Sequence, residues 1–261
     1  MENVRAKLRV FVEAPLSGEG HIKLTGGALH YLRNVMRADA GAPVRLFNGV
    51  DGEGTARIET ISRDACALSL VGQLRPQLPE PGPSLLFAPL KKDAIDFVAI
   101  KATELGASRL MPVLTEHTAV ARINAERLQQ QAIQAAEQCG RLTVPAIAPL
   151  RPLPAALQAW PEDTPLYVCH PSAAARPMAE VFANAPRAPR DRAAPGILVG
   201  PEGGFSEIEL DRLSTFAFIT VLAMGPRILR AETAAIAALA CWQALAGDWK
   251  SRSIQDAREN Q

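Results

Sequence analysis

The sequence has no long apolar run, and this absence limits the classes of protein to which the chain can belong. Its 261 residues are 48% hydrophobic and 21% charged, the balance of an ordinary globular protein. No apolar stretch comes near the roughly 20 residues that are needed to span a bilayer, and Met1–Arg5 does not lead into the apolar core of a signal peptide. We therefore expect a cytoplasmic protein without a membrane partner.

Cysteine is scarce, and the familiar nucleotide motifs are missing. The four cysteines, Cys66, Cys139, Cys169 and Cys241, are far apart and show neither a CxxC pair nor a metal-ligand spacing. This pattern predicts reduced thiols, no disulfide and no metal. The chain also lacks GxxxxGK and GxGxxG, which excludes a phosphate loop and a dinucleotide-binding fingerprint.

Positive charge is not in large excess, because the net charge is +1, and this argues against a strongly basic surface over the whole molecule. Residues 1–37, however, contain six basic side chains and three acidic ones, a local excess of three. We predict phosphate contacts from Arg9, Arg33 and Arg37. Scattered charges on a solvated face are the alternative interpretation.

The most informative pattern is a strand, a glycine loop and a helix in succession. The apolar run Gly196–Val199 predicts a buried strand. It leads into Gly200–Gly204, where three glycines expose main-chain groups to a ligand and Pro201 stiffens the turn. Ser206 with Glu209 fits a capping box, which predicts a helix that starts at Ser206.

A second loop of this type follows in the sequence. Phe218–Leu222 is β-branched and apolar, which predicts another buried strand, and the alanine-rich run Thr233–Leu245 predicts a helix. Between them lie Gly225 and the charged pair Arg230 and Glu232. An ordinary connection, in which Glu232 favours the helix amino terminus, is the alternative. The two patterns alone indicate ligand loops and no more.

Turns and prolines divide the chain into regions. Residues 1–72 hold short strands, and Asn48–Gly49 predicts a hairpin with a type I′ turn. A small β-barrel would leave these strands without open edges. The proline-rich segment 73–83 predicts a stiff linker. Over 84–249 apolar strands alternate with helical patterns, which predicts an α/β domain with a parallel sheet and helices on both faces.

Together the two loops resemble the signature of the SPOUT superfamily of RNA methyltransferases. They resemble most specifically the ribosomal RNA small subunit methyltransferase E family, which methylates N3 of a uridine in 16S ribosomal RNA. Further segments are similar to that family in the same order: His30–Leu32, Val35–Arg37, Pro89–Asp93, Lys101–Gly106 and Ala135–Arg141. One departure is His117, where the family more often has arginine. We expect this difference to concern an RNA or partner contact and not the cofactor loops.

The resemblance implies a fold class and an assembly. The fold would be α/β, with a SPOUT trefoil-knotted, parallel-sheet methyltransferase domain at 84–249, a small PUA-like β-barrel RNA-binding domain at 1–72 before it, and a polar tail at 250–261. The knot would bring the two loops side by side. The family forms homodimers, and the helix with Cys241, Trp242 and Leu245 is predicted to have apolar surface to spare for such an interface.

The resemblance also implies S-adenosyl-L-methionine as the cofactor and 16S ribosomal RNA, within the small ribosomal subunit, as the partner. Residues of both loops would hold the cofactor: Leu198, Gly200, Pro201, Glu202, Gly203, Gly204, Met224, Gly225, Ile228, Leu229 and Thr233. Arg230 would stabilise the uracilate or hold a phosphate, and Glu232 would accept the N3 proton or cap its helix. His170 either lines the same pocket or has a structural role. A ribose 2′-O methyltransferase and a noncatalytic RNA-binding or ribosome-assembly protein are the alternative functions.

Overall fold

The computed structural model describes residues 8–16, 20–185 and 194–250. The predicted polar tail, 250–261, therefore lies outside the described residues from position 251 onward. Within the described part, no helix is both long enough and apolar enough to cross a membrane.

The chain folds into two compact units. The first contains Met1–Glu80 and Ile133–Val144, and the second contains Pro81–Ala132 and Pro145–Gln261. The first division lies within the predicted linker 73–83. The structure differs from the predicted continuous domains at residues 133–144, which belong to the first unit because Ala136 and Leu142 pack against Phe47 in one apolar cluster.

Five strands form the sheet of the first unit: β1 (Leu8–Phe11), β2 (His21–Leu24), β3 (Pro43–Phe47), β4 (Glu53–Ile61) and β5 (Cys66–Arg75). Their order is β1-β3-β4-β5-β2, with β1 parallel to β3 and the other neighbours antiparallel. Helix α1 (Gly26–His30) and a π-helical turn (Tyr31–Val35) follow β2. Val10, Leu46 and Leu68 point into one apolar core. Because β1 and β2 are not paired with each other in the described residues, the strands form a half-barrel.

The hairpin between β3 and β4 has its turn at the predicted place but not of the predicted type. Residues 48–52 form the loop. Asn48 lacks the positive φ that a type I′ turn requires, whereas Gly49 has a φ of 79°. The Asn48 side-chain carbonyl instead accepts hydrogen bonds from the N–H groups of Val50 at 3.0 Å and Asp51 at 2.8 Å. The asparagine therefore shapes the loop through its side chain.

Eight strands form the sheet of the second unit: β6 (Ser84–Phe87), β7 (Arg109–Leu114), β8 (Ala146–Ile147), β9 (Arg151–Pro152), β10 (Leu166–Cys169), β11 (Arg176–Pro177), β12 (Gly196–Val199) and β13 (Ile219–Ala223). Every pairing among them is parallel. The order is β11-β13-β10-β12-β6-β7-β8, with β9 beside β7. The chain thus inserts β12 between β6 and β10, two strands that precede it.

Helices of the second unit cover both faces of the sheet. They are α2 (Lys92–Glu104), α3 (Ala125–Cys139, which crosses the division between the units), α4 (Leu153–Gln158), α5 (Met178–Ala183), α6 (Glu207–Ser214) and α7 (Ala231–Leu245). Alternate residues of one strand point to opposite faces. Leu85 and Ile197 pack with residues of α2 and α7, whereas Leu86 and Leu198 pack with residues of α4 and α6. The predicted parallel sheet between two helical layers is confirmed.

Candidate active site

The two predicted ligand loops leave the sheet at the same edge. The first follows β12 after Val199, and the second follows β13 after Ala223. Strand β10 pairs with both β12 and β13, so the end of β10, at Cys169 and His170, lies between the loops. The carboxyl ends of parallel strands share one edge of a sheet, and ligands of α/β proteins bind there.

The first loop is held in place by its own hydrogen bonds. The N–H of Gly204 donates to the carbonyl of Pro201 at 2.9 Å, and Gly204 has a φ of +70°. The predicted capping box is confirmed: Ser206 Oγ accepts from the N–H of Glu209 at 3.3 Å, and the Glu209 carboxylate accepts from the N–H of Ser206 at 3.0 Å. Helix α6 therefore begins directly after Ser206.

The second loop, Gly225–Leu229, is open. Its main chain makes no hydrogen bond to any other group in the described residues. Gly225 has a φ of +90°, and Ile228 is 94% exposed, while Met224 and Leu229 pack against the core. Free main-chain donors and acceptors beside an exposed apolar side chain suit a flat heterocycle, which needs both edge hydrogen bonds and apolar contact.

One predicted cofactor residue, Leu198, is fully buried, and its side chain packs in the apolar cluster that contains Leu213 of α6. Its side chain is closed off by the core, so a contact with the cofactor would come from its main chain, and this contact stays a prediction. Glu202, Gly203 and Thr233 are exposed. These three and the remaining loop residues stay predictions.

Arg230 and Glu232 stand at the start of helix α7. Arg230 is the residue before the first helical turn, where its carbonyl accepts from the N–H of Ala234 at 2.8 Å and its side chain is exposed. Glu232 lies in the first turn and is half-buried. Neither side chain has a hydrogen-bond or ion-pair partner among the described residues. Both are therefore free to meet a substrate, and their catalytic roles stay predictions.

His117 belongs to this edge, contrary to expectation. It follows β7, and its ring Nδ1 lies 3.0 Å from the carbonyl oxygen of Gly203. The expectation that the departure at His117 does not concern the cofactor loops is wrong. Its position directly after a parallel strand was the signal in the sequence, since that position places a residue at the ligand-binding edge.

The end of β10 brings a thiol and an imidazole between the loops. The ring of His170 lies 6.1 Å from that of Phe205, centroid to centroid, and glycine is favoured at position 200 because a Cβ there would lie 3.0 Å from the Phe205 ring. Burial lowers the pKa of His170 and favours its neutral form. Burial also raises the pKa of the Cys169 thiol to about 12. Within the described part of the chain, no three His, Cys, Asp or Glu side chains are grouped as a metal site.

Arg9 is wrong as a phosphate contact. It is 4% exposed, and its Nε donates to Glu53 at 2.5 Å while its guanidinium lies 3.7 Å from the Phe47 ring centroid. Arg75 donates to the same carboxylate at 2.8 Å. Burial opposes ionisation of Glu53, but the two arginines hold its pKa below the usual range. Arg9 is thus part of the interior of the first unit, where losing one partner of a buried pair is costly.

Arg33 and Arg37 remain candidates for RNA contact. Both are exposed, and they flank Val35 and Met36, which are 59% and 38% exposed. Arg37 follows the π-helical turn with a φ of 50°. A surface that mixes guanidinium groups with apolar side chains can contact both phosphates and bases.

Helix α7 has less spare apolar surface than predicted. Trp242 is 4% exposed and packs against Tyr167 and Phe182, with ring centroids 5.8 Å and 5.2 Å away. The expectation that Trp242 is available to a partner is wrong, because the core of the second unit already uses it. Cys241 and Leu245 are half-buried.

Comparison with known proteins defines the class of protein. Residues 79–243 match the RNA methyltransferase domain family, and residues 24–71 match the RNA methyltransferase PUA domain family. A crystal structure of the small subunit methyltransferase E from Neisseria gonorrhoeae, bound to S-adenosyl methionine, has a TM-score of 0.81 and 27% identity, and the match covers 93% of this chain and 99% of that one. A methyltransferase from Legionella pneumophila in complex with SAM has a TM-score of 0.79 and 28% identity, over 91% and 97% of the two chains.

The sequence relatives narrow the class further. The ribosomal RNA small subunit methyltransferase E of Rickettsia conorii is 30% identical over 89% of this chain and 93% of its own length. The Bacillus subtilis protein of the same name is 27% identical over 83% and 87%. The chain belongs to the ribosomal RNA small subunit methyltransferase E family. The predicted fold class, a SPOUT methyltransferase domain after a PUA-like domain, is confirmed.

Proposed function

We propose that this protein uses S-adenosyl-L-methionine to methylate N3 of a uridine in the 16S ribosomal RNA of the small subunit. The observation that carries the proposal is the pair of loops at one sheet edge, in a chain whose fold matches two SAM-bound relatives over more than nine-tenths of its length. The N3 position comes from the family resemblance.

The residues of the second loop suit the cofactor. The unpaired main chain of Gly225–Leu229 offers hydrogen bonds to the edge of an adenine, and the exposed Ile228 offers it an apolar face. In the first loop, the N–H of Gly203 and the carbonyl of Gly204 make no hydrogen bond in the described residues and can meet the cofactor. When bound, S-adenosyl-L-methionine supplies the electrophilic methyl group.

The nucleophile requires help from the protein, because N3 of free uridine carries a proton. Arg230 has an exposed cationic side chain without a counterion in the described residues, and it would stabilise the negative charge that develops on the uracil ring. Glu232, in the first turn of α7 and also unpaired in the described residues, would accept the N3 proton.

The remaining parts of the proposal concern partners. Arg33 and Arg37 would hold phosphates of the ribosomal RNA without reading its sequence. The second unit would form a homodimer that includes α7, in which Cys241 and Leu245 are half-buried. Light scattering tests the assembly, and an active monomer at micromolar concentration would contradict it.

Two measurements test the function. Calorimetry in the presence of a chelator should detect binding of S-adenosyl-L-methionine, and the absence of binding at millimolar cofactor would leave a noncatalytic RNA-binding or assembly protein. Mass mapping of ribosomal RNA from cells with and without the gene should show one 16S uridine that loses a base methyl group. Loss of a ribose methyl group would instead assign the protein to 2′-O methylation.

A further inference from the structure

The segment after β7, residues 115–118, is a tight turn that contacts the first loop. The N–H of Thr118 donates to the carbonyl of Thr115 at 3.1 Å, and the N–H of Thr115 donates to Thr118 Oγ1 at 2.9 Å. Thr115 is buried. These hydrogen bonds fix the backbone of the turn, so Glu116 and His117 between the threonines are presented in one orientation.

One carboxylate joins this turn to the first loop. Glu209 accepts from the N–H of Ser206 with one oxygen and from the N–H of Glu116 with the other, at 3.0 Å and 2.9 Å. A carboxylate that accepts two main-chain hydrogen bonds holds both donors at fixed positions. The Glu209 side chain of the capping box therefore both caps α6 and binds the turn after β7.

His117 makes the second connection. Its Nδ1 lies 3.0 Å from the carbonyl oxygen of Gly203, and a carbonyl can only accept, so Nδ1 carries the proton. A Cβ at Gly203 would lie 3.0 Å from the Cβ of His117. The approach of ring and loop is thus close enough that glycine is favoured on the loop side.

We propose that His117 is a positioning residue for cofactor binding, which together with Glu209 holds Gly200–Ser206 in the binding conformation before the cofactor arrives. A loop that is ordered in advance loses less conformational entropy on binding, and the affinity rises accordingly. The inference rests on the proposed function, since it takes the first loop to bind S-adenosyl-L-methionine. It gives His117 a role toward the cofactor.

The test compares two replacements of His117 in the full-length protein. His117→Leu keeps bulk but removes the donor, whereas His117→Asn keeps an N–H donor near the position of Nδ1. We expect His117→Leu to raise the Kd and KM for S-adenosyl-L-methionine about three- to tenfold, as loss of one hydrogen bond does. Turnover at saturating cofactor should change much less than the Kd, the Tm should fall by no more than about 2–4 °C, and His117→Asn should restore most of the affinity.

Hydrogen–deuterium exchange of the ligand-free protein tests the positioning role of His117 independently of the proposed function. The Gly204 amide, hydrogen-bonded to Pro201 within the loop, should exchange with solvent deuterium faster in ligand-free His117→Leu than in wild type or His117→Asn. Wild-type cofactor affinity and wild-type exchange in His117→Leu would overturn the positioning role. If the wild type binds no cofactor, the proposed function fails, and with it the role of His117 in cofactor binding.

Discussion

The two loops at the carboxyl edge of the sheet both begin with a Gly-Pro pair but differ in structure. The loop Gly200–Ser206 is fixed by an internal hydrogen bond, a capping box and the contact from His117. The loop Gly225–Leu229 makes no main-chain hydrogen bond in the described residues and leaves Ile228 94% exposed. The loop with three glycines is the fixed one, so glycine content does not by itself predict which loop is open.

The difference also suggests that the two loops have different roles. A fixed loop can define where a cofactor sits, because its groups do not move on binding. An open loop with unpaired groups can close over the cofactor and bring Arg230, at its end, toward the substrate. The first loop would then serve binding alone, whereas the open loop would serve binding through Ile228 and chemistry through Arg230, and substitutions in each loop can test this.

The largest effect is expected at the end of the open loop. Arg230→Ala should lower kcat by roughly a hundredfold or more while the Kd for S-adenosyl-L-methionine changes little, since an electrostatic stabiliser acts in the transition state. Single-turnover methylation of ribosomal RNA, with calorimetry for the cofactor, measures both. Unchanged turnover would remove the open loop from the chemistry.

Glu232→Gln distinguishes the two roles of the carboxylate. A general base would lose activity strongly, about tenfold or more, and part of it would return as the pH rises, because the N3 proton of uracil leaves more readily in alkali. A residue that only favours the helix start would cost about 1 kcal/mol or less of stability, with activity nearly intact. A pH profile of turnover, with a thermal melt, separates these outcomes.

An intermediate effect is expected from the exposed isoleucine of the open loop. Ile228→Ser should weaken cofactor binding about tenfold, because part of an apolar side chain is buried only when the cofactor is present. The Tm should not change. Ile208→Ser is the matched control, since Ile208 is 76% exposed in α6 and outside both loops. Equal cofactor affinity in the two variants would contradict the assignment of Ile228.

The smallest effects are expected when one glycine of each loop is replaced by alanine, because the fall in Tm reports how rigid the loop is. Gly204 and Gly225 have φ values of +70° and +90°, and an alanine at either site would have open space around its Cβ. A side chain in this backbone region costs about 1 kcal/mol or more. In the fixed loop the strain cannot relax, so Gly204→Ala should lower the Tm by about 2–4 °C, and Gly225→Ala should lower it less. The reverse order would show that the open loop is the stiffer one.

Patterns of neighbouring residues predicted much of this structure. The strand Gly196–Val199 and the capping box of Ser206 with Glu209 were correct because their signals are local, an apolar run and a pair three residues apart. The helix predicted from Thr233 begins two residues earlier, at Ala231. The parallel sheet followed from the alternation of strands and helices, which depends on chain order and not on particular contacts.

The errors concern residues whose partners are distant in sequence. Arg9 carries a charge that predicts a surface position, but Glu53 and Arg75 bury it in an ion-pair network that no local pattern shows. His117 contacts Gly203 across the sheet edge, a separation of 86 residues. The side chain of Leu198 packs in one cluster with Leu213 of α6, a packing that no local pattern shows.

The pKa of Cys169 has a consequence for a protein that handles a methyl donor. Sulfur nucleophiles accept methyl groups readily in the thiolate form, and this thiol ends the strand between the two loops. With a pKa of about 12 it is almost wholly protonated at neutral pH. We therefore expect this thiol to react more slowly than an exposed cysteine with methyl donors and with thiol-directed reagents.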